Sequence, residues 1–223
     1  MPKYFVENPP NGLSGETIHH LKRVLRVRVG DEVILCDGAG MDYLSKVESL
    51  EPFRLKVVEP RRCLTEPRCK VTLYQAMAKS DKMDWIVQKA VELGVCSVVP
   101  VFTEFSVAKK AKTERYQKIA ESAAGQSMRG IIPQVQQAVD FADIVKGGGF
   151  NIAPHPYAKP TIKQLTGLPD EVNLWIGPEG GFSPGEAEAM AAAGFHLVSL
   201  GARILRTETA ALAALTQIFM VTE

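Results

Sequence analysis

Residues 174–186 read LWIGPEGGFSPGE, and residues 200–210 read LGARILRTETA. In each stretch, a loop that contains glycine follows an apolar run and precedes a helical pattern. Gly177, Gly180 and Gly181 remove side chains where the backbone must turn sharply or approach a bound molecule closely, and they leave N–H and C=O groups accessible to it. The two loops therefore predict two walls of one ligand site, which could bind a nucleoside through backbone groups.

The residues that follow the first loop are predicted to begin a helix. Ser183 is placed at the N-cap, Pro184 at the first helical position, and Glu186 where it completes a capping box. A capped strand-to-helix turn would by itself explain this segment, because glycine is common in loops. The second loop favours the ligand site.

The composition of the chain is typical of a globular protein with one or two domains. It has 223 residues, of which 46% are hydrophobic, enough for a sizeable core. No run approaches the roughly 18 apolar residues of a membrane span, and the N-terminus lacks the apolar segment of a signal peptide. We therefore expect a soluble, cytoplasmic protein with no membrane partner.

The cysteines predict no metal site. Cys36, Cys63, Cys69 and Cys96 form no C-x-x-C pair and no Cys/His cluster with the spacing of zinc ligands. The spacing indicates no disulfide framework either, so we expect ordinary thiols.

The net charge of +1, from 26 basic and 25 acidic residues, gives no argument for a nucleic-acid partner. One short segment does. Residues 22–28 read KRVLRVR and place four cations among apolar residues that could anchor the segment while the cations face a phosphate backbone. The predicted RNA-binding residues are Lys22, Arg23, Arg26 and Arg28, and a solvated basic surface is the alternative.

The N-terminal part of the chain has the pattern of short strands and turns. Residues 32–36 and 42–47 flank the turn residues 37–40, as in a β-hairpin, and residues 54–58 continue the strand pattern. These strands predict a small β-barrel or another β-rich domain.

Residues 59–68 are polar and contain two prolines, so we interpret them as a linker. The sequence therefore predicts a β domain over residues 1–68 and a second domain over residues 69–223. Both lengths are within the range of independent domains.

In the second predicted domain, strands alternate with helices. Apolar runs at residues 71–77 and 95–101 indicate buried strands, and the residues between them have helical spacing that ends at Gly94. The same patterns predict a helix over residues 113–128, strands over 150–153, 172–176 and 197–200, and a last helix from about residue 207. This alternation predicts an α/β architecture with a mainly parallel sheet.

The sequence contains neither of the common nucleotide-binding loops. No G-x-G-x-x-G follows the first strand of the second domain, and no Walker A loop is present. We therefore expect a nucleotide-like ligand to bind late in the chain, at the carboxyl ends of the last strands. His155, which follows one of those strands, could border the site.

The two glycine loops, residues 176–182 and 200–210, resemble the signature of the 16S ribosomal RNA uridine N3-methyltransferases, a family of the SPOUT class. The resemblance covers nearly the whole chain. Residues 19–20, 24–26 and 30–32 resemble the family's N-terminal domain, and residues 82–95 resemble the first helix of its α/β domain. The resemblance implies a C-terminal trefoil-knotted SPOUT domain preceded by a small PUA-like β-barrel domain.

The same resemblance implies an activity and its partners. It implies a homodimer that transfers a methyl group from S-adenosylmethionine to N3 of a specific uridine in the 16S rRNA of the small ribosomal subunit. In the family, the cofactor lies bent among the two loops. The implied cofactor-binding residues are Gly177, Glu179, Gly180, Gly181, Leu200, Gly201, Leu205, Arg206 and Thr207.

Methylation of uridine N3 requires that this nitrogen lose its proton. The protein must then stabilise negative charge on the base oxygens and align nitrogen, methyl group and sulfur. An arginine suits this task because it stays charged and offers planar donors, and we predict Arg129 as the first candidate and Arg206 as the second. Glu179, Glu208 or water is the candidate proton acceptor, although a salt bridge or a helix cap would also explain Glu208.

The chain departs from the family pattern at three positions. Gly125 stands where an acid is usual, and Phe105 and Lys3 stand where arginines are usual. The departures affect the expected RNA contacts and leave the cofactor loops unchanged.

Two other functions stay open on the sequence. One is a non-catalytic RNA-binding factor of ribosome assembly, and the other is a SPOUT methylase that modifies another RNA position, such as a ribose hydroxyl of transfer RNA. The intact glycine loops favour an enzyme over the first, and the N-terminal domain argues against the second.

Overall fold

The structure, a computed structural model, describes residues 2–223 with the exception of the side chain of Ser80. Contacts between Cα atoms divide the chain into two compact units. The first consists of the residues up to Glu66 together with Ala124–Ile132, and the second consists of Pro67–Ala123 and Pro133–Glu223. The first unit therefore includes a short segment that the sequence-based division at residue 68 assigns to the second domain.

The first unit is built on a four-stranded sheet. Its strands pair in the order β1-β2-β3-β4, with β1 parallel to β2 and the other neighbours antiparallel. A short helix and a π-helical turn connect β1 to β2. The elements are β1 (Lys3–Phe5), α1 (Gly15–His19), the π-helical turn His20–Val24, β2 (Glu32–Cys36), β3 (Met41–Leu50) and β4 (Phe53–Arg62).

The predicted hairpin is confirmed. β2 and β3 pair antiparallel around a turn in which the Asp37 side chain accepts hydrogen bonds from the backbone N–H groups of Ala39 and Met41, at 2.8 and 3.1 Å. Inward-facing side chains of these strands pack with Leu21 into a core that excludes water. The core consists of Val6, Leu21, Val33, Leu35, Val47 and Leu55.

The predicted linker begins too early, because β4 continues through Arg62. Two prolines in a polar stretch are typical of a loop, yet Pro60 lies in the strand opposite Tyr43. β4 is an edge strand of its sheet, and an edge position tolerates a residue that has no N–H to donate. The prediction of a linker over residues 59–62 is therefore wrong.

Hydrogen bonds explain why Ala124–Ile132 belongs to the first unit. The Met128 carbonyl accepts from Lys3 Nζ at 3.2 Å and from Thr65 Oγ1 at 2.9 Å. The backbone N–H of Gly40 donates to the Gly130 carbonyl at 3.0 Å. Contacts between residues so far apart in sequence leave no local pattern from which the segment's membership could be predicted.

The second unit contains the predicted parallel sheet. Its main path has the order β11-β9-β10-β5-β6-β7, β8 also pairs with β6, and every pairing is parallel. The strands predicted at residues 71–77, 95–101, 150–153, 172–176 and 197–200 are present with shifts of one to two residues. The strands are β5 (Lys70–Ala76), β6 (Ser97–Phe102), β7 (Gln134–Val135), β8 (Val139–Asp140), β9 (Phe150–Pro154), β10 (Glu171–Ile176) and β11 (His196–Val198).

Two helix termini of this unit lie where the sequence signals predict, whereas the helix predicted over residues 113–128 ends at Gln126 and the short helix Phe141–Ile144 was not predicted. Gly94 ends its helix in the left-handed conformation, with φ of 111°, and Ser183 and Glu186 form the predicted capping box. The helices are α2 (Ser80–Leu93), α3 (Thr113–Gln126), α4 (Phe141–Ile144), α5 (Pro184–Ala192) and α6 (Thr207–Thr222).

The sheet brings the carboxyl ends of β9, β10 and β11 to one edge, because the three strands are parallel neighbours. β10 is buried along most of its length, and its Trp175 stacks on Tyr74 of β5 with ring centroids 4.2 Å apart. α6 packs on α2 and contacts β10. The loops after these three strands therefore start from a rigid base.

Candidate active site

A cavity of about 350 Å³ opens at the carboxyl ends of β9, β10 and β11. Three loops line it, over residues 154–157, 176–182 and 199–205, and Thr207 and Ala210 of α6 complete the wall. The two glycine loops thus contribute to the same cavity, as the sequence predicts. Its size lies at the lower end of the range for sites that enclose small molecules, which is about 300–1,000 Å³.

The first glycine loop folds back closely on itself. A Cβ atom at Gly177 would lie 3.2 Å from the backbone of Gly181 and of Phe182, tighter than most real contacts. Gly181 has a φ of 74°, which side chains disfavour, and its N–H donates to the Pro178 carbonyl at 2.9 Å. A side chain at Gly177 would have to displace the loop backbone by a few tenths of an ångström, and one at Gly181 would be strained, so the backbone itself forms this wall of the cavity.

A buried hydroxyl connects this loop to the last helix. Thr207 Oγ1 donates to the Gly177 carbonyl at 2.6 Å and accepts from Gln75 Nε2 at 3.0 Å. Thr207 is 5% exposed and Gln75 is fully buried. Since hydrogen bonds shielded from water are costly to break, this chain of contacts fixes the loop relative to β5 and α6.

An ion-pair cluster supports the same loop from α2. Lys82 Nζ lies 3.5 Å from Glu179 Oε1 and 3.2 Å from Glu208 Oε2. Partial burial raises the pKa of Glu208, but hydrogen bonds from its own backbone N–H and from Lys82 outweigh that effect, and the net pKa is lowered. A carboxylate with a lowered pKa holds a proton poorly, so Glu208 is better suited to hold Lys82 than to accept the proton of a substrate.

Family models match both units. A model described as an RNA methyltransferase domain matches residues 65–219, and a model described as an RNA methyltransferase PUA domain matches residues 13–59. The chain belongs to the RNA methyltransferase family. All residues that line the cavity of this methyltransferase lie within residues 65–219, which the RNA methyltransferase domain model covers.

Named relatives are similar over most of this methyltransferase. Ribosomal RNA small subunit methyltransferase E of Bacillus subtilis is 33% identical, over 100% of this chain and 98% of that protein. The protein of the same name from Synechocystis is 34% identical, over 92% of this chain and 71% of that protein.

A solved structure is similar in fold. The crystal structure of ribosomal RNA small subunit methyltransferase E from Neisseria gonorrhoeae, bound to S-adenosyl methionine, superposes with a TM-score of 0.91 at 29% identity and covers 99% of this chain and 98% of that one. The predicted fold class is confirmed: a PUA-like domain precedes an α/β domain of the SPOUT type with a mainly parallel sheet.

Most of the predicted cofactor-binding residues line the cavity of this methyltransferase. Two do not. Glu179 lies in the ion-pair cluster with Lys82, and Arg206 occupies the exposed N-cap position of α6, between two lining residues. The predicted residues that line the cavity are Gly177, Gly180, Gly181, Leu200, Gly201, Leu205 and Thr207.

The cavity also has a third wall that the glycine loops did not reveal. His155 and Tyr157 follow β9, and the Tyr157 N–H donates to His155 Nδ1 at 3.4 Å. Arg203 and Ile204 extend the second loop into the lining. His155, which the sequence predicts to border the site, lines the cavity. Tyr157 was not predicted, and the signal that could have identified it is topological: β9 is the parallel neighbour of both β10 and β11, so its loop must open at the same edge.

Arg129, the first catalytic candidate, is buried in the first unit. Its guanidinium donates to both carboxylate oxygens of Glu66, at 3.3 Å from Nε and 2.5 Å from Nη2, and its side chain is 4% exposed. The backbone N–H groups of Gly130 and Ile131 donate to the same carboxylate. These contacts give Arg129 a structural role in the methyltransferase, whatever else it does.

The basic segment is exposed for most of its length. Arg23, Arg26 and Arg28 are exposed, and Arg26 adopts a φ of 53°. Lys22 differs, because it pairs with Glu51 and donates to the Leu50 carbonyl at 3.0 Å.

The expected anchoring by interleaved apolar residues is only partly correct. Val24 and Leu25 are 61% and 43% exposed. Val27 packs against the core of the first unit, in which Leu21, just before the segment, is fully buried. Val27 thus anchors the segment to the core, while three of its cations, Arg23, Arg26 and Arg28, are exposed to solvent.

Within residues 2–223, no group of three or more His, Cys, Asp or Glu side chains is arranged to hold a metal ion. The helices of that range include none that is long and apolar enough to cross a membrane.

The buried hydroxyl of Thr207 provides a test of the loop arrangement. Thr207→Val keeps the shape of the side chain but leaves the Gly177 carbonyl and Gln75 Nε2 without their shared partner, which typically costs about 1–3 kcal/mol. We expect this variant to bind S-adenosyl methionine roughly 10-fold more weakly by isothermal titration calorimetry, while Thr207→Ser binds nearly as well as the wild type. Equal affinity in all three proteins would show that the hydroxyl does not shape the site.

Proposed function

We propose that the protein transfers a methyl group from S-adenosylmethionine to N3 of a uridine in 16S rRNA of the small ribosomal subunit. The observation that carries the proposal is the convergence of the two glycine loops on one cavity. The names of the relatives support the RNA substrate, since they are ribosomal RNA small subunit methyltransferases.

The cavity fits the proposed cofactor in chemistry as well as in volume. Ile176, Leu200 and Leu205 offer an apolar surface for a purine ring, and the backbone around Gly177 and Gly181 is not screened by side chains. The cofactor supplies, when bound, a methyl group activated by its sulfonium. We propose that the lining residues hold its adenosyl group and thereby fix the direction in which the methyl group points.

The protein's own task is to make the uracil nitrogen a nucleophile. A group that stays positively charged stabilises the deprotonated base, and Arg129 and Arg206 are our proposed candidates. Arg206 directly precedes Thr207 and is exposed beside the cavity wall. Because Glu179 and Glu208 both pair with Lys82, we propose water as the proton acceptor.

We propose RNA binding by Arg23, Arg26 and Arg28, with a smaller part for Lys22. We further propose a homodimer that works in the cytoplasm, where ribosomal subunits are assembled. Two consecutive apolar residues at the end of α6, Met220 and Val221, are 70% and 40% exposed, and self-association would remove apolar surface of this kind from water. Sedimentation equilibrium tests the dimer, since the mass of one chain is 24.4 kDa.

The function is tested on ribosomal subunits from a strain that lacks the gene. We expect the purified protein with S-adenosylmethionine to produce 3-methyluridine in their 16S rRNA, detected by mass spectrometry of nucleosides. Binding of the cofactor with a different modified nucleoside would support a methylase of another position. A lack of both cofactor binding and modification would support a non-catalytic assembly factor.

The two roles of Arg129 are separated by a pair of variants. We expect Arg129→Ala to lower kcat by about 100-fold or more, a loss typical of removing a group that stabilises developing charge, while the Kd for S-adenosylmethionine stays near the wild-type value. Glu66→Gln keeps the guanidinium and should retain most of the turnover. Equal losses of activity and of thermal stability in the two variants would mean that Arg129 acts only through its ion pair.

The basic segment is tested by the salt dependence of RNA binding. We expect replacement of Arg23, Arg26 and Arg28 by alanine to reduce the slope of log K against log salt by about one for each phosphate that the variant no longer neutralises. Lys22→Ala should change the slope less, because the charge of Lys22 is already paired with Glu51. Arg54 and Lys56 of β4 are exposed cations of the same unit, and their double alanine variant is the control. If the triple arginine variant has the same slope as the control, the basic segment is a solvated surface that does not bind RNA.

A further inference from the structure

The loop after β6 presents an aromatic ring beside the cavity. Phe105 is 43% exposed, although large aromatic side chains are usually well buried. A Cβ atom at Gly180 would lie 3.1 Å from Phe105 Cβ and 3.4 Å from its Cγ, so the side chain of Phe105 rests on Gly180. Gly180 lines the cavity, so Phe105, which is not itself a lining residue, lies directly beside the cavity wall.

The turn that carries Phe105 is held on both sides. The Thr103 N–H donates to Ser106 Oγ at 2.9 Å, and the Ser106 N–H donates to the Thr103 carbonyl at 3.1 Å. The Glu104 N–H donates to the Glu186 carboxylate of α5 at 2.8 Å. The backbone of the turn is therefore preorganised, and a partner that packs on the ring loses little of its binding energy to ordering the loop.

The next anchoring contact is made by Val107, whose N–H donates to the Met77 carbonyl at 3.2 Å. After it the chain carries two exposed cations, Lys109 and Lys110. Neither of them takes part in an ion pair within the described part of the chain. The loop thus presents an exposed ring and, a few residues later, unpaired positive charge.

We propose that Phe105 is a stacking platform for a base of the substrate RNA at the rim of the cavity, and that Lys109 and Lys110 contact the phosphates of the same strand. The proposal rests on the proposed methyl transfer to RNA and names residues of the catalytic unit that recognise it. A methyl acceptor must reach the cavity past its rim, so a surface beside Gly180 meets the substrate. An aromatic face with neighbouring cations is the combination that binds single-stranded nucleic acid, because bases stack and phosphates are neutralised.

Phe105 is a positioning residue in this scheme. It packs against the base and takes no part in bond making. The base that stacks on it is the target uracil or its neighbour in the strand, and in both cases the ring limits the orientations in which the target enters. Removal of the ring should therefore weaken productive RNA binding and leave the cofactor site intact.

The experiment compares Phe105→Leu with Phe105→Tyr on small ribosomal subunits that lack the modification. Stacking of a base on an aromatic ring contributes about 1–3 kcal/mol, so we expect Phe105→Leu to lower kcat/KM for the RNA about 10-fold or more, mainly through KM. Phe105→Tyr keeps the aromatic face and should stay within about 2-fold of the wild type. The Kd for S-adenosylmethionine should be the same in all three proteins.

Trp85 provides the control for a general effect of exposed aromatic residues. It is 41% exposed, lies in α2 of the same unit and does not line the cavity, so Trp85→Leu should leave kcat/KM unchanged. An unchanged kcat/KM in Phe105→Leu overturns the stacking proposal. A decrease of affinity for S-adenosylmethionine in Phe105→Leu as large as its decrease of kcat/KM overturns the proposal as well. The ring would then support the cavity wall rather than bind the RNA.

The cations are tested by salt dependence. Lys109→Ala/Lys110→Ala should reduce the slope of log K for RNA against log salt by about two, whereas Lys146→Ala/Lys163→Ala removes two exposed charges of the same unit and should not change it. Equal slopes in the two double variants would remove the lysines from the interface. If the wild-type protein fails to methylate RNA, the proposed function itself fails; if only the Phe105 and lysine variants are indistinguishable from their controls, only this inference fails.

Discussion

The hydroxyl of Thr207 is the contact on which the arrangement of the cavity depends. It joins the Gly177 carbonyl, the Gln75 amide and the first turn of α6 in a region closed to water. Without it, the Gly177 carbonyl would lose this hydrogen bond in the interior, and Gln75 Nε2 would keep only its hydrogen bond to the Ala76 carbonyl. The first glycine loop can therefore be rich in glycine and still have a defined shape, because the hydrogen bonds through Thr207 fix its backbone to β5 and α6.

The cavity itself is a consequence of parallel strands. Three neighbouring strands end at one edge of the sheet, and each continues into a loop that faces the same space. Glycine lets the backbone of two of these loops approach a ligand closely. The ion pairs of Lys82 in α2 with Glu179 and Glu208 hold the first loop and α6 in place. Packing, hydrogen bonding and charge thus act on the same short stretch of backbone.

In the first unit, one carboxylate helps to hold the segment Ala124–Ile132 in place. Glu66 accepts hydrogen bonds from the guanidinium of Arg129 and from the backbone of Gly130 and Ile131. Lys3, the departure from the family pattern near the start of the chain, lies in the same region, where its ammonium pairs with Asp42 at 2.6 Å and donates to the Met128 carbonyl. Buried charges with several partners are tolerated in an interior, whereas unpaired ones are not.

Local patterns in the sequence determined the glycine loops, the caps of α5, the stop of α2 at Gly94 and the alternation that predicts the parallel sheet, because each depends on neighbouring residues. The family resemblance supplied the knot class and the cofactor, which periodicity cannot show. The short elements β7, β8 and α4 were not predicted, since two to four residues carry no period. Only the tertiary structure decided the partners of Arg129, Lys22 and Glu208: each ion pair joins residues far apart in the chain, and such contacts have no signature in local sequence.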